Sequence, residues 1–255
     1  MNNLDIIEES SFKYVEFGEG QPIVLLHGLM GGLSNFEEVL SFFPNKGYKI
    51  IMPILPLYDM SILETTVKAF AKYLNKFLIY KKLKTIVLIG NSLGGHIGLL
   101  YTKMFESKVI GLIITGSSGL YENSMGDGYP KRGDYNYIKT KTEEVFFDRK
   151  IATKSLVDEI FETVNDRSKL IKTLTIAKSA IRHNMAKDLP KINTPTLIIW
   201  GKQDNVTPPS VAKEFHKLIP NSDLVWINKC GHAPMMENPE KFNTSVLNWL
   251  KKKQF

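Results

Sequence analysis

The chain predicts an α/β fold: a doubly wound, mostly parallel sheet with helices on both faces and an inserted helical cap. Three observations lead there. Short β-branched or apolar runs alternate with segments of helical periodicity, as in strand–crossover–strand units. Several of those runs are apolar without alternation, the mark of strands buried on both faces. Between the runs at 109–115 and 196–201 lies a long stretch with no strong strand, too long for a structureless loop and therefore read as a helical insertion over the strand ends. The expected division is a first core part at 1–119, a cap at 120–190 and a second core part at 191–255.

The elements follow in order. Phe12–Phe17 alternates and meets Gly18-Glu19-Gly20, which fits an exposed antiparallel strand and turn. Pro22–His27 is continuous and apolar, as a central strand should be, and Tyr48–Pro53 is another strand. Ser61 and Glu64 read as a capping box opening a helix with Val67, Phe70, Leu74, Phe77 and Leu78 at helical spacing. Thr85–Gly90 is a buried strand, and Gly95–Met104 sets Ile97, Leu100, Tyr101 and Met104 on one helical face. After the strand Val109–Thr115 come the turn-rich Gly126–Pro130 and helical patterns at Thr153–Val164 and Ser168–Ile181. The core resumes with the strand Thr196–Gly201, a helix opened by Pro208-Pro209 and the strand Leu224–Ile227. Asn238-Pro239 then starts a last helix, buried through Phe242, Val246, Trp249 and Leu250.

Bulk properties exclude several classes. With 255 residues, 43% of them hydrophobic, the chain can bury one large core without staples. Cys230 is the single cysteine, so no internal disulfide forms, and it reads as a small apolar filler rather than a reactive thiol. The N-terminal Met1–Ser10 lacks a basic start and an apolar signal core, which leads us to expect a cytoplasmic protein. No apolar run approaches the roughly 20 residues that span a bilayer. The net charge of +7 is spread over predicted helices. Its densest groups, Lys81-Lys82-Leu83-Lys84 and Lys251–Lys253, lack interleaved aromatics and read as solvated surface, not a nucleic-acid footprint. No paired Cys or His stands at metal-ligand spacing, so neither metal nor cofactor is expected. The partner expected is a small molecule, and the oligomeric state is left open.

The chemistry concentrates at Gly90-Asn91-Ser92-Leu93-Gly94, where a serine stands between glycines at the seam of a strand and a helix. So tight a reversal forces the serine backbone into an unusual region and leaves no room for neighbouring side chains, a volume that Gly90, Gly94 and Gly95 vacate. A serine hydroxyl is a poor nucleophile near neutral pH unless a base removes its proton. His232, after the strand ending at Ile227, is the candidate base, since an ordinary imidazole is largely neutral near pH 7 yet can carry the proton. Asp204, just past the strand ending at Gly201, is the candidate partner for the other ring nitrogen. Glu122, after the strand ending at Thr115, is the rival acid. His96 follows the elbow on its helix, while His183 and His216 lie in predicted helices with no nearby motif.

The chain resembles the α/β-hydrolase family in His27-Gly28-Leu29-Met30-Gly31-Gly32, Gly90–Gly94, Gly201-Lys202-Gln203-Asp204 and Gly231-His232. The family's order along the chain, serine then acid then histidine, is met. The resemblance implies an oxyanion hole made by the backbone N–H groups of Leu93 and of Leu29, with Met30 competing for the second place, and His27 as an organiser of that turn. It implies a serine hydrolase that cleaves a small, apolar carboxylic ester through an acyl-enzyme. Two alternatives stand beside it. The Gly-Asn-Ser-x-Gly-Gly segment and the Lys229–His232 turn are similar to hydrolases that split carbon–carbon bonds in diketone-like acids. Those relatives often carry a tryptophan where this chain has Ala233, and they want a cap arginine, for which Arg182 is the candidate. The other alternative is a ligand-binding receptor with a slow triad. Haloalkane dehalogenases and epoxide hydrolases use an aspartate at the elbow, and Ser92 argues against both. The family's aspartate and two glycines after the strand at Tyr48–Pro53 are replaced by Ile54–Asp59, where Leu57 and Tyr58 either shape an apolar entrance or pack locally.

Overall fold

The computed structural model describes residues 5–122 and 131–255; Gly126–Pro130 therefore lies outside the described residues. Eight strands form one sheet: β1 (Ile7–Glu9), β2 (Phe12–Phe17), β3 (Gln21–Leu26), β4 (Tyr48–Pro53), β5 (Ile86–Asn91), β6 (Val109–Thr115), β7 (Thr196–Gly201) and β8 (Ser222–Ile227). Their order is β1-β2-β4-β3-β5-β6-β7-β8. β1 and β2 are antiparallel to their neighbours, and every pairing from β4 to β8 is parallel. The parallel strands follow from their composition: β5 is buried at all six positions, so it needs cover on both faces.

Side chains that alternate along a strand point to opposite faces, and here they feed two separate cores. On one face Val24, Leu26, Leu88, Leu112, Ile114 and Ile198 pack together. They are covered by α2 (Val67–Tyr80), α3 (Leu93–Met104) and α7 (Pro209–Leu218). On the other face Ile23, Leu25, Val87, Ile89, Ile113 and Leu197 pack together. They are covered by α1 (Glu37–Phe42) and α9 (Pro239–Lys253). Each fully buried Phe or Leu of this kind contributes about 1.5–3 kcal/mol over its exposed state. α3 is buried from Leu93 to Thr102, as a helix sandwiched at the centre of a fold must be.

Between β6 and β7 the chain forms α4 (Tyr135–Glu143), α5 (Lys154–Asn165) and α6 (Arg167–Arg182). Each starts at a side chain that accepts from its own first turn: Asp134 from Asn136 N and Tyr137 N, Thr153 from Leu156 N, Asp166 from Lys169 N. These helices join both cores. Ile176 and Ala180 of α6 belong to the α2–α3 side, while Phe146 and Val157 belong to the α1–α9 side. A short α8 (Pro234–Glu237) precedes α9.

One expected boundary moves. Ser61 Oγ donates to Glu64 Oε2 at 3.1 Å, but residues 62–64 form a separate 3₁₀ turn without a side-chain cap. The cap of α2 is Thr66, whose Oγ1 accepts from Ala69 N at 3.1 Å. Thr65, at φ −80° and ψ 64°, interrupts the helical path between the two. Leu57 is a core residue, 3% exposed. Tyr58 instead reaches the insertion, its hydroxyl 3.4 Å from Thr173 Oγ1 and its carbonyl accepting from Lys172 Nζ at 2.6 Å.

Candidate active site

The sheet register lines up Leu26 with Gly90, Asn91 with Thr115, and Gly201 with Ile227. The residues that follow these strand ends therefore share one edge, the carboxyl edge where open α/β sheets place their chemistry. Ser92 leaves β5 there with φ 55° and ψ −119° and starts α3. Such a conformation costs a non-glycine residue about 1–3 kcal/mol and persists only where its surroundings impose it. They do: Ser92 N donates to Thr115 O at 3.0 Å, and Ser92 O accepts from His96 N at 3.1 Å and Ser118 N at 3.3 Å. A side chain on Gly94 would overlap the Leu26 carbonyl, so only glycine lets α3 approach β3 this closely.

The turn at 27–32 runs beside the serine. A Cβ on Gly28 would stand 3.2 Å from Ser92 Cβ. Buried His27 fixes this turn: Leu55 N donates to its Nε2 at 3.1 Å, so the proton sits on Nδ1, which donates to Gly28 O at 2.9 Å. Burial pushes the His27 pKa down despite the bond to Gly28, which keeps the ring neutral. The turn closes with Gly31 N on Gly28 O at 3.2 Å and Gly32 N on Asn35 Oδ1 at 2.6 Å. Leu29 and Met30 lie within it. Leu93 is the first residue of α3, where a helix leaves its N–H groups free of internal partners.

Asp204 and His232 meet directly. His232 Nδ1 lies 3.0 Å from Asp204 Oδ2 and 3.2 Å from Oδ1. The aspartate is 2% exposed and is locked by Val206 N and Thr207 N, each at 2.9 Å on Oδ1, and by Thr207 Oγ1 at 2.9 Å on Oδ2. An aspartate bonded to amides two and three residues on is an Asx-type turn, so Asp204 through Thr207 is a local signal in the sequence. Thr207 also lies 3.3 Å from His232 Nδ1. Burial is the largest influence on the His232 pKa and lowers it. The charge and hydrogen bond of Asp204, with the Glu122 and Glu237 carboxylates, together outweigh burial and raise it.

Ser92 and His232 are brought to the same edge through Asn91, whose Nδ2 donates to both Thr115 O and His232 O at 3.1 Å. Among the described residues no hydrogen bond joins the Ser92 hydroxyl to the imidazole, whose bonds run from Nδ1 to Asp204 and Thr207. Catalytic hydrogen bonds commonly tighten only when a substrate is bound. Glu122, the rival acid, acts on His232 through its charge; burial raises its own pKa, which the His232 charge partly offsets. Arg182 is exposed. His96, which follows the elbow, and His183, which has no motif near it, form a pair at 2.9 Å, with Ser118 Oγ 3.3 Å from His96 Nδ1. Burial and then the neighbouring His183 push the His96 pKa down to about 3, so that ring stays neutral. Cys230 is fully buried, and burial with the Glu237 and Asp204 charges pushes its thiol up.

A cavity of about 100 Å³ lies between the loop 119–122 and α6 at Ala180 and Ile181. A second, of about 550 Å³, lies between α4 and α5 and is lined by none of the candidate catalytic residues. Among the described residues no group of His, Cys, Asp and Glu could hold a metal ion, and no helix is long and apolar enough to cross a membrane.

The family model of the alpha/beta hydrolase fold matches residues 21–239. The chain is similar to the solved MGS-MChE2, an alpha/beta hydrolase enzyme from the metagenome of lagoon sediments at Mar Chica, Morocco. The two are 54% identical over 98% of this chain and 99% of that one, with a TM-score of 0.82. It is 26% identical to the 2-hydroxy-6-oxo-6-(2'-aminophenyl)hexa-2,4-dienoic acid hydrolase of Metapseudomonas resinovorans, over 94% of this chain and 88% of the relative. It is also 26% identical to Lipase 3 of Moraxella sp. (strain TA144), over 86% of this chain and 73% of the relative.

Proposed function

The chain belongs to the α/β-hydrolase fold family, and from that premise we propose that it is a serine hydrolase cleaving a small, apolar carboxylic ester. The observation that carries this reading is the buried Asp204–His232 pair at the strand edge that holds strained Ser92. Ser92 Oγ attacks the ester carbonyl as His232 Nε2 takes its proton, and Asp204 holds the imidazolium. The Leu93 and Leu29 amides meet the charge on the carbonyl oxygen, each such donor typically worth about 2.7–4 kcal/mol. His232 then protonates the leaving alcohol, and water hydrolyses the acyl-enzyme by the same steps in reverse role. Residues 120–190 act as the cap, which the ties of Tyr58 to Lys172 and Thr173 and of His232 N to Val145 O support.

A second reading, hydrolysis of a carbon–carbon bond in a diketone-like acid, is favoured by the relative from Metapseudomonas resinovorans and its named substrate. Charge supports the ester instead. All four arginines of the chain, Arg132, Arg149, Arg167 and Arg182, are exposed, and the Glu122 carboxylate bears on His232. A substrate carboxylate there would meet repulsion without an arginine clamp. Turnover of short-chain p-nitrophenyl esters and of a 2-hydroxy-6-oxo-dienoate by wild type and Ser92→Ala tests both. The ester reading expects ester turnover at many cycles per second, lost by about a millionfold in Ser92→Ala. Faster turnover of the dienoate establishes the second reading, and a single turnover on either substrate establishes a receptor.

A further inference from the structure

Three successive amides carry the His232 turn, and each has a partner that lies outside the turn. His232 N donates to Val145 O at 3.1 Å. Gly231 N and Ala233 N, on either side of it, both donate to Glu237 Oε1, at 2.8 and 3.4 Å. The second oxygen, Glu237 Oε2, accepts from Phe147 N at 2.7 Å. One half-buried carboxylate therefore brackets the histidine and ties it to the 145–147 segment that links α4 to α5. An anionic carboxylate suits this position because both oxygens act only as acceptors; an amide offers one acceptor oxygen and a donor nitrogen that would face an N–H group.

We propose that Glu237 is a positioning residue, fixing the His232 imidazole relative to Ser92 and coupling it to the inserted helices. The inference rests on the reading of His232 as the general base. A histidine set on a short turn has no regular secondary structure to hold it, and a displacement of about 1 Å at a catalytic group can cost on the order of a hundredfold in rate. Charge adds a signature that packing alone would not give. The carboxylates bearing on His232 are Asp204, Glu122 and Glu237. Cys230 Sγ, 3.8 Å from Glu237 Oε1, is kept protonated by burial and has Lys241 acting on it.

The test compares wild type, Glu237→Gln and Glu237→Asp by kcat and KM on a p-nitrophenyl ester. Rates are counted per site titrated with a fluorophosphonate, and kcat/KM is followed against pH. Glu237→Gln is expected to lower kcat about tenfold to a hundredfold with KM within about twofold, and to move the acid limb of kcat/KM to lower pH. Glu237→Asp keeps the charge but shortens the reach, so its kcat falls while its acid limb stays at the wild-type position. If the glutamine variant fails to fold, a kcat per titrated site within twofold of wild type in Glu237→Asp by itself overturns the proposal. A kcat per titrated site within twofold of wild type in both variants overturns the proposal. So does a fall in Glu237→Gln with the acid limb unmoved, which marks a merely structural residue. Ester turnover that survives in Ser92→Ala would instead overturn the triad reading itself.

Discussion

At His232, two opposed influences act on the imidazole. Burial favours the neutral ring, yet the Asp204, Glu122 and Glu237 carboxylates raise its pKa above the ordinary imidazole value. In the proposed mechanism the base must be neutral to accept the Ser92 proton, so activity is expected to be lost as pH falls through that raised pKa. The acid limb of kcat/KM is therefore expected above about pH 6.5, the value for an unperturbed imidazole, and a limb at or below it would contradict the electrostatic account. His27 adds no second limb in that range, because burial keeps it neutral between Leu55 N and Gly28 O. Asp204, by contrast, has its oxygens occupied by Val206, Thr207 and His232, which leaves its orientation little freedom.

At the scale of elements, caps and turns decide where helices start and what they carry. Thr66→Ala removes the side-chain acceptor at the start of α2 and should cost about 1 kcal/mol in chemical denaturation, whereas Ser61→Ala should stay within about 0.5 kcal/mol. A cost at Ser61→Ala with none at Thr66→Ala would mean that the helix begins where Ser61 and Glu64 suggest. That misreading has a physical source: the Ser-x-x-Glu pattern is real and its side chains do bond, but they close an isolated 3₁₀ turn. The strands β4, β6 and β7 were legible at the residue because strands buried at nearly every position read as mostly apolar runs, with Lys49 the one charged residue among them. The edge strand β1 and the short α1, α4 and α8 lack such runs or a long helical period, and single start signals such as Asp134 before α4 or Pro234 in α8 are too common to announce them alone.

Across the whole molecule, the site depends on contacts between parts far apart in the chain. Ser92, Asp204 and His232 were legible because each stands in a local setting, a glycine-flanked reversal or the end of an apolar strand. Asn91 and Glu237 were not, since what distinguishes them is a partner: Asn91 reaches His232 O from 141 residues away, and Glu237 reaches Phe147 from 90. The His96–His183 pair is hidden for the same reason, its members 87 residues apart. The inserted helices share in both cores, and the segment between α4 and α5 accepts a bond from the His232 turn, so the insertion is tied mechanically to the edge that holds Ser92 and His232. In the proposed mechanism this assembly makes Ser92 a nucleophile driven by His232. Its most direct test is mass spectrometry of the protein after reaction with a fluorophosphonate, in wild type and His232→Ala. One phosphonyl group per chain is expected, on the peptide holding Ser92, with labelling slowed at least about a hundredfold in His232→Ala. Labelling elsewhere, or at an unchanged rate without the imidazole, would contradict it.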